Sequence, residues 1–138
     1  MFRVKVITIG RLKEAWLADA LSEYEKRLNG KMEIEWMLVE KEEERQKSAL
    51  KEPLLIALDL KGKELSSEDF SRKLFCEWGA RAAFIIGGAE GLSPLVIKQA
   101  AFRWCLSPLT FTHQIVRLLL AEQLYRAIEI ERGSSYHK

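Results

Sequence analysis

Residues 2–9, FRVKVITI, alternate Phe2, Val4 and Val6 with Arg3 and Lys5 and then turn wholly apolar. That pattern predicts a strand buried first on one face and then on both, ended by Gly10. From about 13 to 28, Trp16, Leu17, Ala20, Leu21, Tyr24 and Leu28 recur at helical spacing, so an amphipathic helix is expected, stopped by Asn29-Gly30. MEIEWMLV (32–39) alternates and then becomes apolar, a second strand. The segment 40–52, EKEEERQKSALKE, is dense in charge of both signs and reads as a solvated helix or loop before Pro53. LLIALDL (54–60) predicts a buried strand ending at Lys61-Gly62. SSEDFSRKLFCEW (66–78) predicts a helix capped by Ser66 or Ser67, with acids in its first turn. AAFIIG (82–87) reads as a strand buried on both faces, SPLVIKQAA (93–101) as a short helix with a Ser cap and an initial Pro, and FRWCLS (102–107) as a fifth strand. Ile115, Val116, Leu119, Leu120, Leu124, Ala127 and Ile128 mark a long helix over 112–131, and RGSSYHK is left as a tail.

Strands alternating with helices predict an α/β fold: a mainly parallel sheet with helices on both faces. At 138 residues and 15.9 kDa the chain suits one domain, 1–138. Its 48% hydrophobic content is enough to bury a core. A net charge of +2 is modest for a free-standing nucleic-acid grip, so any basic patch has to be local. Cys76 and Cys105 lie far apart in apolar surroundings, without a Cys-x-x-Cys or a Cys/His cluster. Two buried thiols in a reducing compartment are expected, and no metal site. The N-terminus is too short and too charged for a signal peptide, and no apolar run nears the roughly 20 residues of a membrane span. The expectation is a soluble cytoplasmic protein with no membrane contact.

In sheets of this kind ligands bind outside the carboxyl ends of the strands. Three segments fall there: Leu58-Asp59 with LKG after it, Gly87-Gly88 within FIIGGAEGLSP, and LSPLTF (106–111). Each bends or opens the backbone, which suits a ligand held by peptide groups and equally suits a tight strand-to-helix turn with no ligand. Gly-Gly-x-x-Gly is not the dinucleotide fingerprint, and no Lys follows to make a phosphate-binding P-loop. His113 and Arg117, four apart, share a face at the start of the long helix, which also carries Glu122 and Arg126. Tyr136 and His137 stand together in the tail. A pocket walled mostly by main chain fits an adenosyl group better than hydrolytic chemistry.

The runs LDLKGKELSSEDF, FIIGGAEGLSP and LSPLTFTHQIVRLLLAEQLYRA, the final YH, and the opening IGRLKEAWLADALSEYEKRL resemble the ribosomal large-subunit pseudouridine N3-methyltransferases, the small single-domain branch of the SPOUT methyltransferases. The resemblance spans nearly the whole chain. It implies a C-terminal deep trefoil knot and S-adenosylmethionine bound bent against the knot loops. Leu58, Gly87, Gly88, Leu106, Ser107, Pro108, Leu109, Thr110, Phe111 and Thr112 are implied to form that cofactor site. It further implies methylation of N3 of a pseudouridine in 23S ribosomal RNA of the assembled ribosome, by a homodimer in which one subunit's tail approaches the other's cofactor. Removing the N3 proton calls for a base or a polarising contact. His137 with Tyr136 is the first candidate and His113 the second, with Arg117 or Arg126 holding a phosphate or neutralising the base anion. The chain departs from the family's usual pattern at Thr112 and Ser135, where Pro is usual, and in a shorter 40–52 segment. The rival readings are a SPOUT methyltransferase of transfer RNA and a non-catalytic ribosome-binding module.

Overall fold

The computed structural model describes residues 1–87 and 90–137. Strands β1 (Phe2–Ile9), β2 (Met32–Val39), β3 (Leu55–Glu64), β4 (Ala83–Ile86) and β5 (Phe102–Cys105) form one sheet in the order β2-β1-β4-β3-β5. Every pairing is parallel, as the alternation of strands and helices predicts. The helices are α1 (Ala15–Leu28), α2 (Glu42–Leu50), α3 (Ser67–Arg72), α4 (Pro94–Gln99) and α5 (His113–Arg132).

Period-two alternation divides the strands between two cores. Val4, Val6, Ile56, Leu58, Phe84, Ile86 and Trp104 pack with residues of α1, α3 and α5. Ile7, Leu55, Ala57, Ala83 and Ile85 pack with Ala49 of α2 and Val96 of α4 on the other face. The first core is heavily aromatic. The Phe70 ring stacks on Trp104 with centroids 4.4 Å apart and planes 15° from parallel. Trp78 meets both Phe70 and Phe84 edge-on at 6.3 Å. Such pairs add roughly 0.5–1.5 kcal/mol each beyond their buried area. This cluster fixes β3, β4 and β5 against α3.

Three sequence-derived boundaries and two burial expectations need correction. β3 runs on to Glu64 instead of stopping at residue 60. The register slips between Leu58 and Lys63, which both pair with Trp104. Residues 59–62 therefore form a bulge, closed by the Asp59 carboxylate accepting from Arg103 Nε and Nη2 at 2.8 and 2.5 Å. Gly62 is no terminator: a Cβ there would lie 2.5 Å from the Arg103 carbonyl carbon and oxygen. Only glycine lets β3 lie this close to β5. The helix expected over 66–78 breaks into α3 and a π-helical turn at Lys73–Glu77. In that turn Leu74 and Trp78 take the inward positions, so Cys76 is exposed and only Cys105 is buried. The charged 40–52 segment is not wholly solvated, because α2 buries Arg45 and Ala49. β5 ends at Cys105, which leaves Leu106 and Ser107 to the following loop.

α5 begins at a Thr112 cap, whose hydroxyl accepts from Ile115 N at 3.3 Å, and ends at Gly133 with φ +72°. It lies against α1 and α3. Because β4, β3 and β5 are neighbours, the loops leaving their carboxyl ends converge at one edge of the sheet, directly before the start of α5.

Candidate functional site

The three loops enclose a cavity of about 560 Å³. Leu58, Asp59 and Leu60 come from the β3 bulge, Ile86 and Gly87 from the end of β4, and Leu106, Ser107, Leu109, Thr110, Phe111 and Thr112 from the loop into α5. Gly91, His113 and Val116 complete the wall. The volume lies within the range of roughly 300–1,000 Å³ usual for small-molecule sites. Its lining is mostly apolar, from aliphatic side chains and Phe111, with Asp59, Ser107, Thr110, Thr112 and His113 as its polar residues, a mixture that suits a nucleoside. A Cβ on Gly87 would sit 3.3 Å from Leu92 Cγ and 3.4 Å from the Gly91 carbonyl carbon, so the loop is folded tightly on itself.

The structure brings together Leu58, Gly87, Leu106, Ser107, Leu109, Thr110, Phe111, Thr112 and His113 of the expected site residues. Pro108 belongs to the same loop, and Gly88 lies outside the described residues. Asp59 and Leu60 belong to a segment that the sequence places at this edge, whereas Ile86, Gly91 and Val116 were not singled out as walls. Gly91 was visible as the third glycine of its run, and Val116 as the residue one turn past Thr112. Leu60, Leu109 and Phe111 are exposed at the rim.

A second cavity of about 590 Å³ adjoins the first. Both are walled by Ile86, Gly91 and His113. Arg45 of α2, only 4% exposed, donates from Nη1 to Ile86 O at 2.7 Å and from Nη2 to Gly91 O at 3.3 Å. It also pairs with Glu42. One guanidinium thus holds both ends of the loop from β4 to α4.

Burial, then the cations of Arg117, Arg45 and Lys13, hold the His113 imidazole below its usual 6.5 and so favour its neutral form. Arg117, one helical turn on, is fully buried. Its Nη2 donates to Ile9 O and Gly10 O at 2.7 and 2.8 Å, which fixes the end of β1 to α5. Burial lowers its own pKa, and Nε and Nη1 have no partner. Gln114 donates to Arg11 O at 3.1 Å and so holds the loop after β1 beside His113.

The tail lies elsewhere. The Tyr136 hydroxyl donates to Glu122 at 2.8 Å, its ring meets Tyr125 edge-on at 4.8 Å, and the Arg126 guanidinium covers it. Burial and the Glu122 carboxylate push the phenol pKa up. His137 lies with Nδ1 3.0 Å from Arg126 Nη1 and Nε2 3.0 Å from Glu68 Oε1. Within one chain, Tyr136 and His137 therefore dock on α5 and the start of α3. Among the described residues, no group of three or more His, Cys, Asp or Glu is placed to hold a metal ion, and no helix is long and apolar enough to cross a membrane.

The family model described as "Predicted SPOUT methyltransferase" matches residues 2–137. The chain belongs to the SPOUT methyltransferase family. It is a methyltransferase, and the family implies both a methyl donor and the knotted fold expected from the resemblance. Among curated relatives, "Ribosomal RNA large subunit methyltransferase H" of Protochlamydia amoebophila is 45% identical over 141 residues, covering 100% of both chains. The protein of that name from Clostridium acetobutylicum is 38% identical, covering 98% of this chain and 99% of its own. A solved structure, a probable methylase family protein from Haemophilus influenzae, superposes with a TM-score of 0.60 over 94% of this chain and 66% of that one. At 10% identity that likeness concerns the fold alone.

Proposed function

We propose that this SPOUT methyltransferase acts on 23S ribosomal RNA of the large subunit, transferring the methyl group of S-adenosylmethionine to N3 of a pseudouridine in the assembled ribosome. The observation that carries the reading is the 45% identity, end to end, to a protein named as a ribosomal RNA large subunit methyltransferase. The cavity supports it by its volume of about 560 Å³ and by a mostly apolar lining with a few polar residues, as a nucleoside site requires.

When bound, S-adenosylmethionine supplies a methyl group made electrophilic by its sulfonium. The loop 106–112 and Leu58 would hold the adenosyl portion, and Ile86 and Val116 would exclude water from it. His113 stands where the two cavities meet, and a neutral imidazole there can accept the N3 proton as the new carbon–nitrogen bond forms. Arg117 is a positioning residue: it fixes β1 to α5 and favours the neutral imidazole.

The working form in this proposal is a cytoplasmic homodimer. Exposed Leu60, Leu109 and Phe111 at the cavity rim favour a partner surface there. In such a dimer Tyr136 and His137 of one subunit approach the other's cavity and contact the target nucleotide, with Arg126 beside them.

Mass spectrometry of ribosomal RNA from a strain lacking the gene tests the substrate. Loss of one methyl group from a pseudouridine of the 23S molecule is expected, restored by the intact gene. An unchanged methyl inventory would sink the proposal.

A further inference from the structure

The second cavity carries more charged residues in its walls than the first. Its walls carry two hydroxyls, Thr8 from β1 and Ser93 from the cap of α4, one guanidinium, Arg45, and two carboxylates, Glu42 and Glu90. Thr8 is 1% exposed, and its Oγ1 has no hydrogen-bond partner. Arg45 is nearly as buried, and its Nε has none. Buried polar atoms in a folded protein are nearly always satisfied, so two unpaired ones in the wall of a single cavity point to a missing polar ligand. The Ser93 hydroxyl accepts from Val96 N at 3.4 Å, and its own proton stays free to donate.

We propose that this cavity holds the amino-acid end of the methyl donor. The inference rests on the S-adenosylmethionine reading above. The donor's carboxylate is matched by Thr8, Ser93 and Arg45, and its ammonium by Glu42 and Glu90. The shared wall of Ile86, Gly91 and His113 then borders the sulfonium between the two ends. Charge argues against the other occupant, a segment of RNA backbone: two carboxylates at the wall repel phosphate, whereas a zwitterion needs both signs. Contiguity argues the same way, because the first cavity has room for a nucleoside and the second, with its charged residues, adjoins it across a shared wall. The arrangement also leaves the methyl group beside His113.

Calorimetry on the full chain tests this with two probes. S-adenosylhomocysteine carries the amino-acid end, and 5′-methylthioadenosine keeps the nucleoside and sulfur but lacks it. The variants are Thr8→Val, which removes a hydroxyl at constant shape, Glu42→Gln, which removes a charge from a partly exposed side chain, and Arg45→Met. Each is expected to weaken S-adenosylhomocysteine roughly tenfold, the scale of one hydrogen bond to a charged group, while 5′-methylthioadenosine changes by less than about twofold. Arg45 also supports the β4–α4 loop, so Thr8→Val and Glu42→Gln decide the matter. Parallel weakening of both probes in these two variants, or no change in either, overturns the subsite. A wild-type chain that binds neither probe overturns the donor reading as well. One that binds both equally well overturns the subsite alone.

Discussion

Replacing Gly62 by Ala tests whether backbone proximity builds the cavity. The added Cβ would lie 2.5 Å from both the carbonyl carbon and the oxygen of Arg103 and 2.8 Å from Trp104 N, nearly an ångström inside ordinary contact. All three atoms are main chain in a paired strand, so no rotamer change relieves the clash. β3 and β5 must separate beyond Leu58, loosening the bulge that presents Asp59 and Leu60 to the cavity. Overpacking of this kind costs roughly 1–3 kcal/mol, and a backbone neighbour places it at the upper end. For a chain of this length that corresponds to a fall in melting temperature of about 10 °C. Gly30→Ala is the control: its Cβ meets nothing within 4 Å, and only the positive φ of +80° is unfavourable. That variant is expected to lose about 1 kcal/mol, or about 3 °C. Thermal melts followed by circular dichroism, paired with calorimetry of S-adenosylhomocysteine, measure both effects. A Gly62→Ala chain melting no lower than Gly30→Ala, with unchanged affinity, would refute the close approach as the reason for the glycine.

His113 titrates below its ordinary value of 6.5 in the folded chain, so its contribution to stability is complete above that pH and is lost as pH falls through the lowered folded value. The melting temperature of His113→Asn should accordingly fall less between pH 7 and 5 than that of wild type; identical slopes would show that other groups set the acid limb. Thr112→Ala removes the cap of α5 and should cost about 1 kcal/mol, while Thr112→Ser stays near wild type in the same melts. Deleting Tyr136–Lys138 should leave S-adenosylhomocysteine affinity nearly intact and severely reduce methylation of ribosomes; full turnover after truncation would clear Tyr136 and His137 of any role.

Parts of the fold were legible because local signals and tertiary structure agreed. The strands that form the sheet alternate or run apolar, and the loops after β3, β4 and β5 announce themselves through Gly, Pro and polar residues after apolar runs. The parallel order makes those loops meet, so the cavity follows from the pattern. Arg45 was illegible for the opposite reason. Nothing within EEERQK marks one arginine as turning inward to carbonyls 41 and 46 residues away. The π turn was hidden because Phe70, Leu74 and Trp78 keep an ordinary helical spacing. The β3 bulge was misread because a glycine that allows close approach looks, in sequence, like one that ends a strand. The docking of Tyr136 and His137 depends on Glu122, Arg126 and Glu68, a meeting of the tail with two helices that no single stretch of the sequence encodes.

Because the first cavity is framed by loops that leave three neighbouring strands, its outline is inherited with the chain path. Its chemistry is set separately, by the side chains that line it, Leu58, Asp59, Leu109, Phe111 and Val116 among them. Related proteins should therefore keep the hollow in place while single substitutions in those loops, at the rim and in the adjoining cavity change what it accepts.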